Sequence, residues 1–257
     1  MNLRVLHVVL VAFVLLIVGS VLIVAVGKVR EAANRTQCAN NLKQVGLAIL
    51  NYQDTYGRLP PAGRINANLP VEKRLGWLYL VVPFVESSNL YREFDQDQAW
   101  DSEKNRVIPL TFCHLVYHCP SYPDRPPDSK FIPTHYLGIS GLGADAATLP
   151  FEDPKAGFFG YERKLKEEDI KRGFSNTLAV VETAWATGAW TAALDTVRGL
   201  DPDGSPYFGV PQQFGGNHPG GANVLFVDGS VRFLESSFDS QTLERMATIA
   251  ASSPDSP

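Results

Sequence analysis

The chain has 257 residues, 19% of them charged, and a formal net charge of -4. That length suits one large domain or two small ones and is ample for a buried core. The charge balance is that of an ordinary soluble surface, and no basic stripe exists to neutralise phosphates, which argues against a nucleic-acid partner.

In chain order, residues 5–26 come first as an uncharged apolar run. At 1.5 Å rise per residue such a run covers the roughly 30 Å hydrocarbon core of a bilayer. No small-residue cleavage site follows it, so residues 1–27 read as a signal anchor that is retained. Helix-compatible composition continues through Lys28, Val29, Arg30, Glu31, Ala32 and Ala33. Beyond them Leu42, Val45, Ile49 and Tyr52 recur at spacings of three and four, opposite Asn41, Lys43, Gln44 and Asn51. Gly57 and Pro60-Pro61 end the pattern. The spacing predicts one rod of about 50 residues, roughly 75 Å long. Its first half lies in lipid, and residues 28–56 present an apolar face to a head formed by residues 57–251. Arg4 flanks one end of the span and Lys28, Arg30, Arg35 and Lys43 the other, offset by Glu31. Taken literally, the positive-inside rule places the head in the cytoplasm.

Eighteen prolines and twenty-one glycines point to a loop-rich, largely β head, an α+β protein as a whole. Trp77, Leu78, Leu80, Val81, Phe84 and Val85 suggest a short core helix that Pro83 bends or breaks. Residues 120–134 carry five prolines and read as an irregular loop, and the Gly/Ala-rich residues 138–150 as another. Residues 178–182 read as a buried strand. Residues 162–171 mix both charge signs and read as a solvated turn or helix face. Asp228-Gly229 lies between two β-branched and aromatic runs, the pattern of a two-residue type I′ hairpin. That register pairs Val227 with Ser230 and Phe226 with Val231, so that Val224, Phe226, Val231 and Phe233 share a face. A helix over residues 240–251, started by Asp239, and a disordered tail over residues 252–257 complete the chain.

Candidate chemistry is sparse. Three cysteines, Cys38, Cys113 and Cys119, allow one disulfide with one left over. Cys113-His114-x3-His118-Cys119 has zinc-binding residue types, yet four ligands within seven residues converge poorly on one ion. A strand edge carrying incidental histidines fits it better, and no metal is expected. His218 and Asp228 lack the nucleophile that a hydrolytic constellation needs. The simpler expectation is that His218 and Asn223 bond backbone groups leading into the hairpin, while Asp228 and Gly229 supply its turn. Asp201-x-Asp203-Gly204 matches part of a calcium loop but lacks the downstream carboxylate.

Several short motifs together carry a family resemblance. Arg35-x-x-Cys38-x-Asn40-Asn41-Leu42-Lys43-Gln44-Val45-Gly46-Leu47-Ala48 is followed by Asn51-Tyr52 and by Tyr56-Gly57-x-Leu59-Pro60-Pro61-Ala62. Gly76-Trp77, Val82-Pro83-Phe84-Val85-Glu86, Leu90-Tyr91 and Cys119-Pro120-Ser121 come next. Ser175-Asn176-Thr177 with Glu182, and His218-x9-Asp228-Gly229-Ser230-Val231-Arg232-Phe233, complete the set. From about residue 28 to residue 235 the chain resembles the bacterial DUF1559-type family of pilin-like proteins, whose domain ends in an H-x9-D-G motif and which is sometimes labelled solute-binding.

The resemblance implies a pilin-like fold: a long membrane helix packed on an antiparallel β-rich head with a C-terminal hairpin. It also implies a head on the extracytoplasmic side of the cytoplasmic membrane, against the literal charge rule. It pairs Cys38 with Cys119, a link across about 80 residues worth about 2 to 5 kcal/mol. Two family features differ: residues 1–10 carry no Gly-Phe-Thr-Leu-Ile-Glu type junction, and the in-membrane glutamate of pilins is absent, His7 being the ionisable group of the span. The family's Asp-Gly-Thr-Ser-Asn-Thr pattern stands here as Arg172-Gly-Phe-Ser-Asn-Thr177. The expectation is a non-enzymatic, cofactor-free envelope protein of structural or interaction role, linked to a type II secretion-like system. Its partners would be the bilayer, other copies of itself, or envelope and secretion proteins. The alternative is a tethered solute- or glycan-binding module using two or more of Trp77, Trp100, Trp185 and Trp190.

Overall fold

A computed structural model describes all residues except 1–2, 86–87, 112–114, 123–129, 186–187, 210–211 and 252–257. One helix, α1, runs unbroken through Leu3–Tyr56, 54 residues and about 80 Å. Its apolar first half faces outward, with Leu16 73% and Ile23 76% exposed. This segment is long and apolar enough to cross a membrane. In the second half Cys38, Leu42, Val45, Ala48, Ile49 and Tyr52 are buried against the head, and Leu47 on the far face is exposed. Asn41, expected on the polar face, is instead 7% exposed, and its amide donates to the His118 carbonyl at 3.2 Å.

Short elements connect the rod to the sheet: α2 (Trp77–Val81), α3 (Ser88–Glu93) and α4 (Ile108–Thr111). A 3-10 turn at Val82–Phe84 follows α2 directly, where Pro83 interrupts the helix as anticipated. Residues 115–117 also form a 3-10 turn, which corrects the expected strand edge there; Cys113 and His114 lie outside the described residues.

The head is built on one five-stranded sheet, β1 (Tyr136–Leu142), β2 (Leu178–Glu182), β3 (Val197–Leu200), β4 (Gly221–Phe226) and β5 (Val231–Glu235). The strand order is β3-β1-β2-β4-β5, with β1 and β3 parallel and the other neighbours antiparallel. The first strand corrects the reading of residues 138–150 as loop. Gly138 is there for space: a Cβ would meet the Phe159 ring at 2.3 Å, so the glycine lets an aromatic lie on the strand.

The sheet has a core on each side. Tyr136, Val180, Leu225 and Val227 pack with the rod, Trp77 and Trp190. Leu137, Ile139, Val181, Val224, Phe226 and Leu234 pack with Tyr207, Phe214 and α5 (Ser240–Ala247). Asp239 caps α5 through a 2.7 Å bond from the Thr242 amide, and the helix stops four residues short of the expected end.

The C-terminal hairpin forms, but in a different register. Leu225 pairs with Val231 and Asn223 with Phe233. The Gly229 amide donates to Phe226 O at 3.0 Å and the Phe226 amide to Ser230 O at 2.9 Å. With Gly229 at φ 81, this is a three-residue loop ending in a G1 bulge rather than a type I′ turn. The one-residue slip turns Val231 and Phe233 toward the rod, and Arg35 of the rod lies 4.6 Å over the Phe233 ring.

Residues 162–171 are also less solvated than their charge suggests, for Arg163, Leu165 and Ile170 are buried. The Arg163 guanidinium donates to the carbonyls of Leu149 (2.9 Å), Gly157 (2.6 Å), Phe159 (3.0 Å), Ser140 (3.2 Å) and Ala146.

Candidate functional site

The chemically richest place in the head is its seam with the rod, close to where the apolar span ends. Glu31, five residues beyond Val26, is about 7 Å further along the helix axis. Its carboxylate accepts from the Ser121 hydroxyl at 2.8 Å and meets His218 Nδ1 at 2.5 Å. About two helical turns later Cys38 is fully buried, its sulfur 2.8 Å from that of Cys119. Both are free thiols in this structure.

Glu182 enters the seam because of a backbone irregularity. Between Leu178 and Val180 the register of β2 against β4 shifts by one residue. Leu178 faces the α5 side, Ala179 and Val180 both pack on the rod side, and Val181 returns to the α5 side. The bulge therefore turns Glu182 toward the rod; an unbroken alternation from Leu178 would aim it at the opposite core. There its Oε2 accepts from the Asn223 amide (3.2 Å) and side-chain nitrogen (3.0 Å). Its Oε1 accepts no well-directed hydrogen bond and faces His218 Nε2 across 3.2 Å.

The ring of His218 thus bridges two carboxylates, Glu31 and Glu182, with Cys119 Sγ 3.6 Å from Nε2. Burial lowers its pKa, but bonds to Cys119, Glu182 and Glu31 outweigh burial and raise it to about 10. Burial raises the Glu182 pKa, and the His218 bond and charge more than offset it, so the carboxyl is held below its usual range. The Cys119 thiol is pushed well up, first by its bond with Cys38 and then by burial. His135 is lowered to about 3, mainly by burial; its Nδ1 accepts from the Cys119 amide at 3.1 Å.

This geometry revises several expectations. His218 and Asn223 bond side chains, above all the Glu182 carboxylate, rather than backbone. Asp228 Oδ1 accepts from the Ser230 amide at 2.9 Å, and Gly229 takes the positive φ, in the bulged loop rather than the expected type I′ turn. Asp228 is exposed there, while His218 is buried in the seam against Glu31 and Glu182. Cys38 and Cys119, the two cysteines that the resemblance pairs, lie side by side. Glu31 and Glu182 join the site from outside the expected site residues. Glu31 is the only acid before Asp54, and Glu182 closes an apolar strand run, signals that mark both as unusual. Elsewhere, Asp201 caps a 3-10 turn at Pro202–Gly204 by accepting from the Asp203 amide.

The tryptophans divide by place. Trp77 and Trp190 are core residues, the former donating to Thr196 O at 2.8 Å, and Trp100 donates to Glu72 O at 2.9 Å. Trp185 alone of the four lines a cleft of about 610 Å³, together with Tyr161, Arg198, Asp201 and Gln213.

No curated protein and no solved structure matches the chain. A family model described as a protein of unknown function (DUF1559) matches residues 27–191 and 183–241, from the end of the apolar run to α5. That match takes in the rod's buried stripe, Cys38, Cys119, Glu182 and the His218-x9-Asp228-Gly229 hairpin, and the chain belongs to the DUF1559 family.

Proposed function

We propose that the protein is a membrane-anchored, pseudopilin-like component of the cell envelope, with a structural or interaction role rather than an enzymatic one. The observation that carries this reading is the unbroken helix Leu3–Tyr56, whose apolar first half is exposed and whose second half is sunk into the head. A flexible tether would let the head move independently of the membrane. A continuous rod instead fixes its height and orientation, which suits lateral packing of copies or docking with envelope partners. The head lies on the extracytoplasmic side in this reading, and the partners are copies of the chain or proteins of a secretion-like assembly.

Crosslinking in native membranes, followed by identification of neighbours, tests it. A ladder of self-crosslinks or a secretion component supports the proposal, and a protein recovered only as a lone monomer overturns the assembly role. Orientation is read separately, by labelling an Asp203→Cys variant in spheroplasts with a membrane-impermeant maleimide; reaction only after lysis places the head inside. A tethered solute-binding module is the second reading. The cleft beside Trp185 favours it, though a single indole offers half of the aromatic clamp expected.

A further inference from the structure

The seam brings together two thiols, an imidazole and a carboxylate from four separate stretches of chain. The Cys38 and Cys119 sulfurs, one His218 nitrogen and one Glu182 oxygen all lie within 4.8 Å of one another, and all four residues are buried. We infer that these four side chains form a tetrahedral site for zinc or a closely similar divalent ion, which pins the rod to the base of the head.

Donor chemistry and geometry both lead there. Sulfur, nitrogen and oxygen donors in a four-coordinate set suit zinc, which takes thiolate at about 2.3 Å and imidazole or carboxylate at about 2.0 to 2.2 Å. Around such an ion, neighbouring sulfur and nitrogen stand roughly 3.6 Å apart and nitrogen and oxygen roughly 3.4 Å. Cys119 Sγ and His218 Nε2 are 3.6 Å apart, and His218 Nε2 and Glu182 Oε1 3.2 Å. The two sulfurs, at 2.8 Å, are the exception, and must open by about 1 Å to sit on one ion.

The surrounding bonds are those that orient metal ligands. Glu31 holds His218 Nδ1, leaving Nε2 aimed at the cluster, the carboxylate–histidine arrangement common behind zinc. Asn223 holds Glu182 Oε2 with two donors, and Oε1, in a fully buried side chain, faces His218 Nε2 at 3.2 Å with no well-directed hydrogen bond. The bulge in β2 is what delivers that oxygen.

The test uses the full-length protein in detergent micelles, its thiols kept reduced by a phosphine. Zinc is titrated against a chromogenic chelator, and cobalt is added in parallel to read thiolate-to-cobalt charge transfer. One ion per chain is expected, with that absorption present. Glu182→Gln should weaken binding at least tenfold, and Glu31→Gln, which keeps all four ligands, about 10- to 100-fold. Cys38→Ser should reduce the charge-transfer absorption. Less than a tenth of an equivalent bound by reduced protein, or cobalt bound without charge transfer, overturns the proposal. So does unchanged affinity in both glutamate variants, or protein isolated from membranes with Cys38 and Cys119 in a disulfide and no zinc. None of these results bears on the rod or on crosslinked neighbours, so this site and the envelope role fail independently.

Discussion

Arg163 sets the tone at the level of single residues. Its planar guanidinium answers five backbone carbonyls that approach from residues 140, 146, 149, 157 and 159. Burial pulls its pKa down to about 10, partly offset by Asp153, so it stays charged at neutral pH. Lysine brings a point charge and cannot reproduce the planar fork. Arg163→Lys is therefore expected to cost about 2 to 4 kcal/mol in denaturant unfolding, and a change within about 0.5 kcal/mol would contradict this account. Asp195 offers a pH test away from the seam. Burial raises its pKa, against a weaker pull from the Ala189 amide bonded at 3.1 Å. A carboxyl raised on folding contributes stability below its unfolded value of about 3.9, and that contribution is lost as pH rises through the folded value. Asp195→Asn should then melt higher than wild type at pH 7, with the gap closing below about pH 4. A gap that widens in acid would reverse the sign.

Among elements, the contact between α1 and the C-terminal hairpin depends on a missing side chain. A Cβ at Gly46 would meet Leu225 Cδ1 at 2.9 Å and the Gly229 backbone at 3.1 Å. Gly46 thus lets the bulged turn lie directly on the helix. Gly46→Val should loosen the head by roughly 1 to 3 kcal/mol through overpacking, although valine is the better helix former. Ile49→Ala, one turn on, should cost about 2 to 4 kcal/mol by leaving a cavity. Thermal unfolding followed by tryptophan fluorescence reads both. The hairpin also shows where local signals stop. Asp-Gly between two apolar runs announces a hairpin, but the pair fits either a two-residue loop or a three-residue loop with a G1 bulge. Which one forms is decided by the faces that must be buried: only the slipped register gives Leu234 to the α5 side and Val231 to the rod.

Across the whole molecule, the rod makes a quantitative prediction. Leu22 and Leu47 are both exposed on α1, and a straight helix separates their Cα atoms by about 38 Å. Spin labels at these positions, in lipid nanodiscs, should give a single narrow distance distribution near that value. A broad or shorter distribution would mean a joint between membrane and head and would remove the basis for a fixed platform.

Periodicity alone determined the rod, because a helix buries residues at a repeat that depends only on its own geometry. The apolar span, the stripe through Leu42, Val45, Ile49 and Tyr52, and the stop at Gly57 are all properties of contiguous sequence. The strand at residues 178–182, the existence of the hairpin and the Asp239 cap were legible for the same reason. Tertiary structure alone decided the seam. Glu31, Cys38, Cys119, Glu182 and His218 span 187 residues, and nothing local marks them as neighbours. Their meeting depends on a one-residue bulge in β2 and on which strand borders which, outcomes of packing two cores against one sheet.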